Sequence, residues 1–429
     1  MKKYIWTSIL WASLLMACSS GAQQEKVKGQ IDVLPAFENL TELKVSHLGK
    51  NIRYVPLETT DSSLVVGVQV GLLDDKILIS SGNRTERHCF LFDRQSGKFI
   101  REIAQYGQGP KDYSLSFPIV HPVTKNLHFR RHIGKLLEYN QEGEYLGEIS
   151  MDKIYSRNIT PFVTESEVFV YEGNAAAKPN INGCLYQYNR TIGRMDTVAL
   201  FLQKENLEEK KIKGMKAYSG TDKYGLFGYN GKFMFEYMDG TKIFYPSKFD
   251  VLWSSGKDVH FREVFSDTIF RIKDKTLEPA CIFNLGERHF PVERHGKPEG
   301  TKDYLIVTYV METWDKIYFQ CVKDMYGEFH VYNGLYWKEN DEVIMGQGDF
   351  TDDLTNFIPF RPIVHTEKGE FVGILKVEQI QEWLEEHPDF KLEGALAPLK
   401  DLKFDNNPVV VIVEPEEKRR TTNVSAYES

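Results

Sequence analysis

Residues 76–103 read KILISSGNRTERHCFLFDRQSGKFIREI, and this stretch decides the fold. Polar and apolar side chains alternate over 76–80, an apolar aromatic run follows at 89–93, and a third run occupies 98–103. Short runs of this kind, separated by Gly and polar residues such as those at 95–97, are typical of β-strands joined by tight turns. The stretch therefore predicts an antiparallel meander.

The same unit recurs along the chain. It returns at 136–149 and at 186–193, so that the turn glycines Gly97, Gly143 and Gly193 are 46 and 50 residues apart. This spacing matches a propeller blade of about 40 to 50 residues. Looser copies, with turns predicted within 270–276, 331–334 and 364–369, bring the number of turns to six.

The long interval between Gly193 and residue 274 leaves the number of blades open. It contains the strand-like runs 233–238 and 241–245, joined at Asp239-Gly240. Asp-Gly between two strands predicts a type I′ hairpin. Since Gly240 lies 47 residues after Gly193, the spacing allows six or seven blades.

Closure of a ring gives these small sheets a physical reason to assemble. Each sheet has two apolar faces, and radial stacking buries both while leaving only short edges. The run 407–413 predicts the final strand, and either 31–34 or 52–57 could complete its sheet. A β-sandwich or a two-domain β protein is the alternative.

One helix is predicted near the C-terminus. Within 374–387 the apolar side chains of Val377, Ile380, Trp383 and Leu384 share a face, and Pro388 ends the pattern. We expect this helix to pack on the last blade. The predicted fold class is thus all-β, a propeller over residues 31–414 with one short helix, followed by a charged and polar tail over 415–429.

The N-terminus predicts the cellular location. A basic start at 1–3 precedes an apolar run at 5–17, which is too short for a permanent membrane span but suits a signal peptide over 1–17. Residues 15–18, Leu-Met-Ala-Cys, resemble a bacterial lipobox. Cys18 would then carry the acyl chains that anchor the mature protein in a lipid bilayer, and an ordinary signal peptide is the alternative.

The segment 18–30 after this cysteine is small and polar, as expected of a flexible tether. The predicted location is the bacterial cell envelope, as an outer-membrane lipoprotein whose orientation, towards the periplasm or the cell surface, stays open.

The amino-acid composition limits the classes of partner that the protein is expected to bind. The chain has 429 residues, 53 Lys plus Arg against 61 Asp plus Glu, and a formal charge of −8, with 41% hydrophobic side chains. This is a globular composition, and its acidic balance argues against nucleic acid as a partner. Beyond Cys18, four single cysteines lie in strand-like runs without Cys-x-x-Cys spacing. They are expected to be buried free thiols, and two disulfides are the alternative, since the count is even and an oxidising envelope permits them. The four cysteines are Cys89, Cys184, Cys281 and Cys321.

The sequence offers no catalytic motif. It has no His-Glu-x-x-His, no Gly-x-Ser-x-Gly and no phosphate loop, so no catalytic residue, metal ligand or cofactor is predicted. Gly107-x-Gly109 is followed by Pro110 rather than by a helix pattern, which favours a turn between blades over a nucleotide site.

Two groups of side chains are candidates for ligand binding. The run 128–132 is the densest cationic stretch, and strand alternation would place His128, Arg130 and His132 on one face and Arg131 on the other, where they could meet an anionic ligand. A charged surface is the alternative. The aromatic candidates for stacking on sugar rings are Tyr237, Trp253, Trp314 and Trp337, with core packing as the alternative. The positions put forward as ligand-binding are His128, Arg130, Arg131, His132, Tyr237 and Trp253.

Several short motifs are similar to those of the six-bladed β-propeller lipoproteins of the Bacteroidota type, which are related in shape to NHL-repeat propellers. They are YVPLET at 54–59, FDR at 92–94 with SGKF at 96–99, YGQGPKDY at 106–113, FSDTIF at 265–270 and DNNPVV at 405–410. The resemblance marks Gly107, Gly109, Pro110, Tyr113, Asp267 and Pro408 as structural positions. Asp112 and Ser266 depart from it, where the family usually has Glu and Asn. The resemblance implies six blades and no established chemistry.

These observations favour a non-enzymatic, membrane-anchored propeller that binds a glycan or a protein through loops at one end of its channel. One alternative is a metal-dependent hydrolase or lyase acting on sugars or lactones. Another is a structural subunit of an outer-membrane complex.

Overall fold

The computed structural model describes residues 29–416, apart from 67, 83–85, 115–116, 133, 152–153, 155–158, 173–182, 202–210, 219–231, 247–250, 264, 292–293, 295–296 and 298. The signal peptide 1–17, the lipidation residue Cys18, most of the tether 18–30 and most of the tail 415–429 lie outside the described residues.

The N-terminal segment runs along the outside of the molecule. It comprises β1 (Gln30–Asp32), α1 (Val33–Glu38), α2 (Val45–Leu48) and β2 (Asn51–Pro56).

Three four-stranded antiparallel sheets follow in chain order. Sheet 1 has β3 (Val68–Leu72), β4 (Lys76–Gly82), β5 (Arg87–Asp93) and β6 (Phe99–Glu102). Sheet 2 has β7 (Ile119–Val120), β8 (Leu127–Arg130), β9 (Lys135–Tyr139) and β10 (Tyr145–Ser150). Sheet 3 has β11 (Ile159–Val163), β12 (Glu167–Glu172), β13 (Gly183–Asn189) and β14 (Arg194–Phe201).

A three-stranded sheet then precedes three more meanders. It has β15 (Ile212–Tyr218), β16 (Lys232–Tyr237) and β17 (Lys242–Pro246). Sheet 4 has β18 (Leu252–Ser255), β19 (Asp258–Phe261), β20 (Thr268–Lys273) and β21 (Thr276–Asn284), with β1 added parallel to β21. Sheet 5 has β22 (Leu305–Glu312), β23 (Lys316–Lys323), β24 (His330–Trp337) and β25 (Glu342–Gln347). Sheet 6 has β26 (Val364–His365), β27 (Phe371–Leu375), β28 (Val409–Glu414) and β2.

Each of the six numbered sheets is packed between two others. Neighbouring sheets share one apolar cluster, and the six clusters form a closed cycle. Representative buried pairs are Leu78 with Phe129 (sheets 1 and 2), Leu136 with Val168 (2 and 3), Phe169 with Phe261 (3 and 4), Ile269 with Phe319 (4 and 5), Tyr318 with Phe371 (5 and 6), and Val372 with Phe90 (6 and 1). This cycle of sheets is a β-propeller, and its six members favour the six-blade count.

The strand sequences explain this packing. Successive side chains of a strand point to opposite faces, so a strand buried on both faces must be apolar throughout. In β5, Cys89 and Leu91 pack towards sheet 2, whereas Phe90 and Phe92 pack towards sheet 6. The meander predicted from residues 76–103 is therefore confirmed, and its central strand supplies two interfaces.

A strand from near the start of the described chain and its last strand close the ring. β2 pairs antiparallel with β28, with Ile52 opposite Val413 and Pro56 opposite Val409. Of the two segments predicted to complete this sheet, 52–57 is thus the correct one. Residues 31–34 are divided between β1, which extends sheet 4, and α1.

The predicted C-terminal helix is α3 (Val377–Glu386), and its buried Ile380 and Trp383 pack on sheets 5 and 6 as expected. Two 3₁₀ turns occupy Gly286–Arg288 and Gly394–Leu399. The helices α1 and α2 were not predicted, because six and four residues are too few to show a helical period. No helix among the described residues is long and apolar enough to cross a membrane.

Two turn predictions are wrong. The residues 331–334 lie inside β24, and the turn after this strand comes at 338–341. Asp239-Gly240 does join two strands, but only Gly240 has a positive φ, so the turn is not type I′. The hairpin belongs to the three-stranded sheet, where Met234 and Phe244 pack against side chains of sheet 5 such as Ile306.

The four cysteines beyond Cys18 carry free thiols, with Cys89, Cys184 and Cys321 buried and Cys281 half-buried.

Gly334 allows a test of the packing. A Cβ at this position would clash with the ring of the fully buried Phe319 on β23. We expect Gly334→Ala to lower the free energy of unfolding by about 1 to 3 kcal/mol, measured by urea denaturation.

The matched control is Gly214→Ala on the exposed strand β15, where nothing lies within 4 Å of an added Cβ. Equal stability of the two variants would contradict the described packing of β23 against β24.

Candidate functional site

The turns of the six sheets gather at one end of the ring. Because successive strands are antiparallel, the turn between the first and second strands lies at the same end as the turn after the third. We call this end the turn face. Its first turns are residues 73–75, 121–126, 164–166, 256–257, 313–315 and 366–370.

Polar contacts link all neighbouring sheets at or near the turn face. They are Lys76 Nζ to Gln141 Oε1 (3.2 Å), Arg190 Nη2 to Glu138 Oε2 (3.2 Å), Lys275 Nζ to Asp196 Oδ2 (2.6 Å), His260 Nδ1 to Glu312 Oε2 (2.7 Å), Trp314 Nε1 to the Lys368 carbonyl (3.2 Å) and Lys368 Nζ to Asp74 Oδ1 (2.7 Å). Three of the six are solvent-exposed and contribute little stability, and those of Lys76 and Arg190 are part-buried. The contact of Glu312 is the buried exception.

Glu312 is the last residue of β22 and is only 5% exposed. Its carboxylate takes hydrogen bonds from Trp253 Nε1 (2.8 Å) and His260 Nδ1 (2.7 Å) of sheet 4. It also takes hydrogen bonds from Ser255 Oγ (3.0 Å) of sheet 4 and from Lys338 Nζ (2.7 Å) of its own sheet. We call these five residues the Glu312 cluster. Burial would raise the pKa of Glu312, but the hydrogen bond and charge of His260 and the Lys338 ammonium outweigh it and hold this pKa well below its usual range.

The Glu312 cluster has the residue types of a catalytic triad without the geometry. In a triad the serine bonds to the histidine, whereas here Ser255 and His260 both bond to the carboxylate. Four donors occupy the two carboxylate oxygens, so Glu312 has no remaining capacity for a substrate proton. The cluster therefore fixes sheet 4 to sheet 5. Within the described ranges, no three His, Cys, Asp or Glu side chains form a metal-binding group.

A second feature repeats in three sheets. A cation directly follows the third strand, and it binds the first turn of its own sheet through its backbone and side chain. The backbone bonds run from Arg94 to the Asp75 carbonyl (3.0 Å), from Arg190 to that of Ser166 (2.9 Å) and from Lys338 to that of Asp315 (2.9 Å). The three side chains donate to the carbonyls of Asp74, Thr164 and Thr313, and reach the carboxylates of Glu370, Glu138 and Glu312. Arg94 and Arg190 thereby fix a turn to the neighbouring sheet directly, and Lys338 does so through Glu312 of its own sheet, which binds sheet 4.

Trp314 is the exposed aromatic residue on this fixed surface. Its side chain is 45% exposed, while its indole N–H is bound to the Lys368 carbonyl and its edge lies against Gly369. Gly369 has a φ of +90° and no side chain, which leaves room for the ring. Trp314 therefore presents half of a large aromatic surface in a defined orientation.

The predicted cationic stretch does not form a single binding surface. β8 ends at Arg130, so the alternation assumed for 128–132 stops there. His128 is fully buried, with Nε2 3.6 Å from Glu138 Oε1, and this ring, with Asn126 and Arg190, lowers the pKa of Glu138 to about 2. Arg131 lies 3.6 Å from Glu148, Arg130 is half-buried and His132 is exposed in the turn.

For the aromatic candidates, the degree of burial decides between stacking on sugar rings and packing in the core. Tyr237 is fully buried in the three-stranded sheet, and Trp253 is 7% exposed and bound to Glu312. Their predicted role in sugar stacking is incompatible with this burial. Trp337 packs partly buried on the cluster between sheets 5 and 6. Only Trp314 of these four residues is exposed.

The positions marked as structural lie in connections. Gly107, Gly109 and Pro110 belong to the loop from sheet 1 to sheet 2, where Asp112 accepts a hydrogen bond from the Gly109 N–H (2.7 Å) and Tyr113 is buried between the sheets. The carbonyl of Asp267 accepts from Phe283 N (2.8 Å), and that of Pro408 accepts from Leu57 N (3.2 Å).

Sequence reasoning missed Glu312, His260 and Lys338. Glu312 and His260 have no local signal, because their contact joins different sheets. Lys338 could have been found by aligning the repeats on the ends of their third strands, where Arg94 and Arg190 occupy the same position.

The Glu312 cluster predicts how stability depends on pH. Because the folded-state pKa values of Glu312 and Glu138 are lowered, their contribution is complete above the unfolded pKa of about 4.5 and is lost as pH falls towards 2. We expect the free energy of unfolding to fall from pH 6 to pH 3. Glu312→Gln should lower it by about 3 kcal/mol at pH 7 and reduce the pH dependence.

Urea denaturation across this pH range measures both effects. The control is Glu367→Gln, an exposed carboxylate on the turn of sheet 6, which should change neither. An unchanged stability of Glu312→Gln at pH 7 would contradict the structural role of the cluster.

Comparison with known proteins gives two similar structures and one matching family. A crystal structure of a Bacteroides fragilis protein described as exported has a TM-score of 0.59 at 18% identity, covering 88% of this chain and 98% of its own. A structure of a DUF4221 member from Bacteroides vulgatus has a TM-score of 0.40 at 10% identity, covering 70% and 86%. The comparison with curated proteins gave no match. The family described as "Domain of unknown function (DUF4934)" matches residues 28–414, and the chain belongs to this family.

Proposed function

We propose that this protein is a lipid-anchored binding module of the bacterial cell envelope that holds a glycan on its turn face, with Trp314 as the platform. The exposure of Trp314 on a fixed surface carries the proposal. Aromatic side chains gain most in binding when their orientation is set in advance, since less freedom is then lost.

The charges around Trp314 indicate the class of glycan. The turns of sheets 6 and 1 expose Asp74, Asp75 and Glu367 against the cation Lys368, and the turn of sheet 4 exposes the cation Lys257. Lys368 is already bound to Asp74. An anionic saccharide would be repelled here, so an uncharged one is favoured.

The location rests on the sequence. Residues 15–18 resemble a lipobox, and the similar Bacteroides fragilis protein is described as exported. The described ring begins next to the predicted tether, which supports an anchor attached to a folded binding domain.

The role of Trp314 can be tested by calorimetry and a glycan array. We expect the mature protein to bind a neutral hexasaccharide from a panel of cellohexaose, maltohexaose and chitohexaose, and not hexagalacturonate. Trp314→Ala should weaken binding about tenfold or more.

Phe404→Ala is the matched control, because Phe404 is an aromatic residue that is 66% exposed outside the turn face. Equal affinity of Trp314→Ala and the parent protein would exclude this platform, and capture of a protein partner without any glycan binding would overturn the ligand class.

The proposed lipid anchor at Cys18 can be tested by cell fractionation. In a strain that expresses the full chain, we expect the protein in the membrane fraction and Cys18→Ser in the soluble envelope fraction, because the acyl chains would be absent. Cys89→Ser, which changes a buried thiol of the ring, controls for loss of a cysteine as such. An unchanged distribution of Cys18→Ser would rule out the lipid anchor.

A further inference from the structure

Arg262 is a fully buried cation at the junction of sheets 4 and 5. It directly follows β19, at the end of that strand away from the turn face, and is 2% exposed. Its backbone N–H donates to the Val251 carbonyl (3.0 Å), and its Nη2 donates to the Val307 carbonyl on β22. Its Nε is buried without a hydrogen-bond partner.

The other two buried arginines of the described chain each bind a carboxylate, which Arg262 does not. Arg361 binds both oxygens of Asp349, through Nε (2.6 Å) and Nη2 (2.9 Å). Arg94 binds Glu370. For Arg262, no carboxylate within the described ranges lies at ion-pair distance. Of the two nitrogens that hold the carboxylate in Arg361, Nε has no partner in Arg262, and Nη2, which carries two N–H groups, bonds to the Val307 carbonyl.

The charges of two nearby carboxylates, Glu263 and Asp267, act favourably on Arg262, but within the described ranges neither forms an ion pair with it. The oxygens of the adjacent Glu263 accept from Tyr171 Oη and from Phe265 N, each at 3.2 Å. Burial raises the pKa values of the nearby Cys281 and Cys321 to about 12, so both are neutral thiols at pH 7. Burial lowers the pKa of Arg262 to about 10, which leaves it charged at neutral pH.

A buried charge without a directly bonded counter-ion is unfavourable, and buried charges in proteins are usually paired. We propose that Arg262 is the recognition residue of an anion site between sheets 4 and 5, which takes a small oxyanion through Nε and Nη2. A planar carboxylate matches this edge best, as Asp349 does on Arg361. The site lies away from the turn face and is independent of the glycan proposal.

The test is the thermal midpoint of the detergent-solubilised mature protein, titrated with sodium acetate or sodium phosphate against sodium chloride at constant ionic strength. We expect a saturable rise of about 2 °C or more with acetate, because a ligand that binds only the folded state stabilises it. A rise with phosphate alone would replace carboxylate by phosphate as the ligand class. The same midpoint in all three salts would overturn the site.

Two variants assign the effect to Arg262. Arg262→Gln should abolish the dependence on acetate, whereas Arg361→Gln should lower the midpoint but keep that dependence. If Arg262→Gln does not fold, Arg262→Lys should fold with a weakened dependence, since a lysine keeps the charge but not the two-pronged edge. An undiminished acetate response in either Arg262 variant, or a more stable protein on Arg262→Met substitution without any anion response in the parent, would contradict the proposal.

Discussion

Two-sided burial is the constraint on which the rest of the structure depends. In β23, Tyr318 packs towards sheet 6 and its neighbour Phe319 packs towards sheet 4. A single such sheet in water would expose one of these faces, so no sheet of the cycle is complete alone. A linear stack would leave two faces unburied, and only a cycle leaves none. Pairing of β2 with β28 is the chain's means of closing that cycle, because it makes the last sheet from both ends of the propeller.

The polar contacts of the turn face have a different task. Apolar packing depends weakly on direction, whereas a hydrogen bond fixes the relative position of two groups within a few tenths of an ångström. Arg94, Arg190 and Lys338 each bind the first turn of their own sheet and a carboxylate. The carboxylate of Glu312 then joins sheet 5 to Trp253 and His260 of sheet 4. The clusters thus hold the ring together, and the polar network sets the positions of its turns, on which Trp314 depends.

Sequence analysis predicted secondary-structure elements that depend on neighbouring residues, and it missed contacts between residues that are far apart in the chain. The meander of 76–103 and the helix α3 follow from side-chain periodicity, which a short window contains. Gly334 was read as a turn because glycine is common there, but its lack of a side chain instead admits the Phe319 ring of the adjacent strand. Aromatic residues likewise predicted strands, but they could not distinguish the buried Tyr237 from the exposed Trp314. The exposure of a strand residue is decided by the sheets that pack against it. For the same reason, no local sequence pattern could predict the contacts of Glu312 or the lack of an ion-pair partner at Arg262.

The path of the N-terminal segment bears on how the ring would bind a ligand if it is anchored as proposed. β1 joins the outer edge of sheet 4, α1 packs beside β25 at the outer edge of sheet 5, and β2 forms the outer strand of sheet 6. The segment therefore follows the rim over three sheets, and the chain enters the ring from its side rather than along its axis. An anchor preceding Gln30 would pull on the rim, which leaves the turn face unobstructed by its own tether. A rim attachment would also spread the load over the β1–β21 and β2–β28 pairings, so that tension on the proposed anchor would not act directly on the turns that hold Trp314.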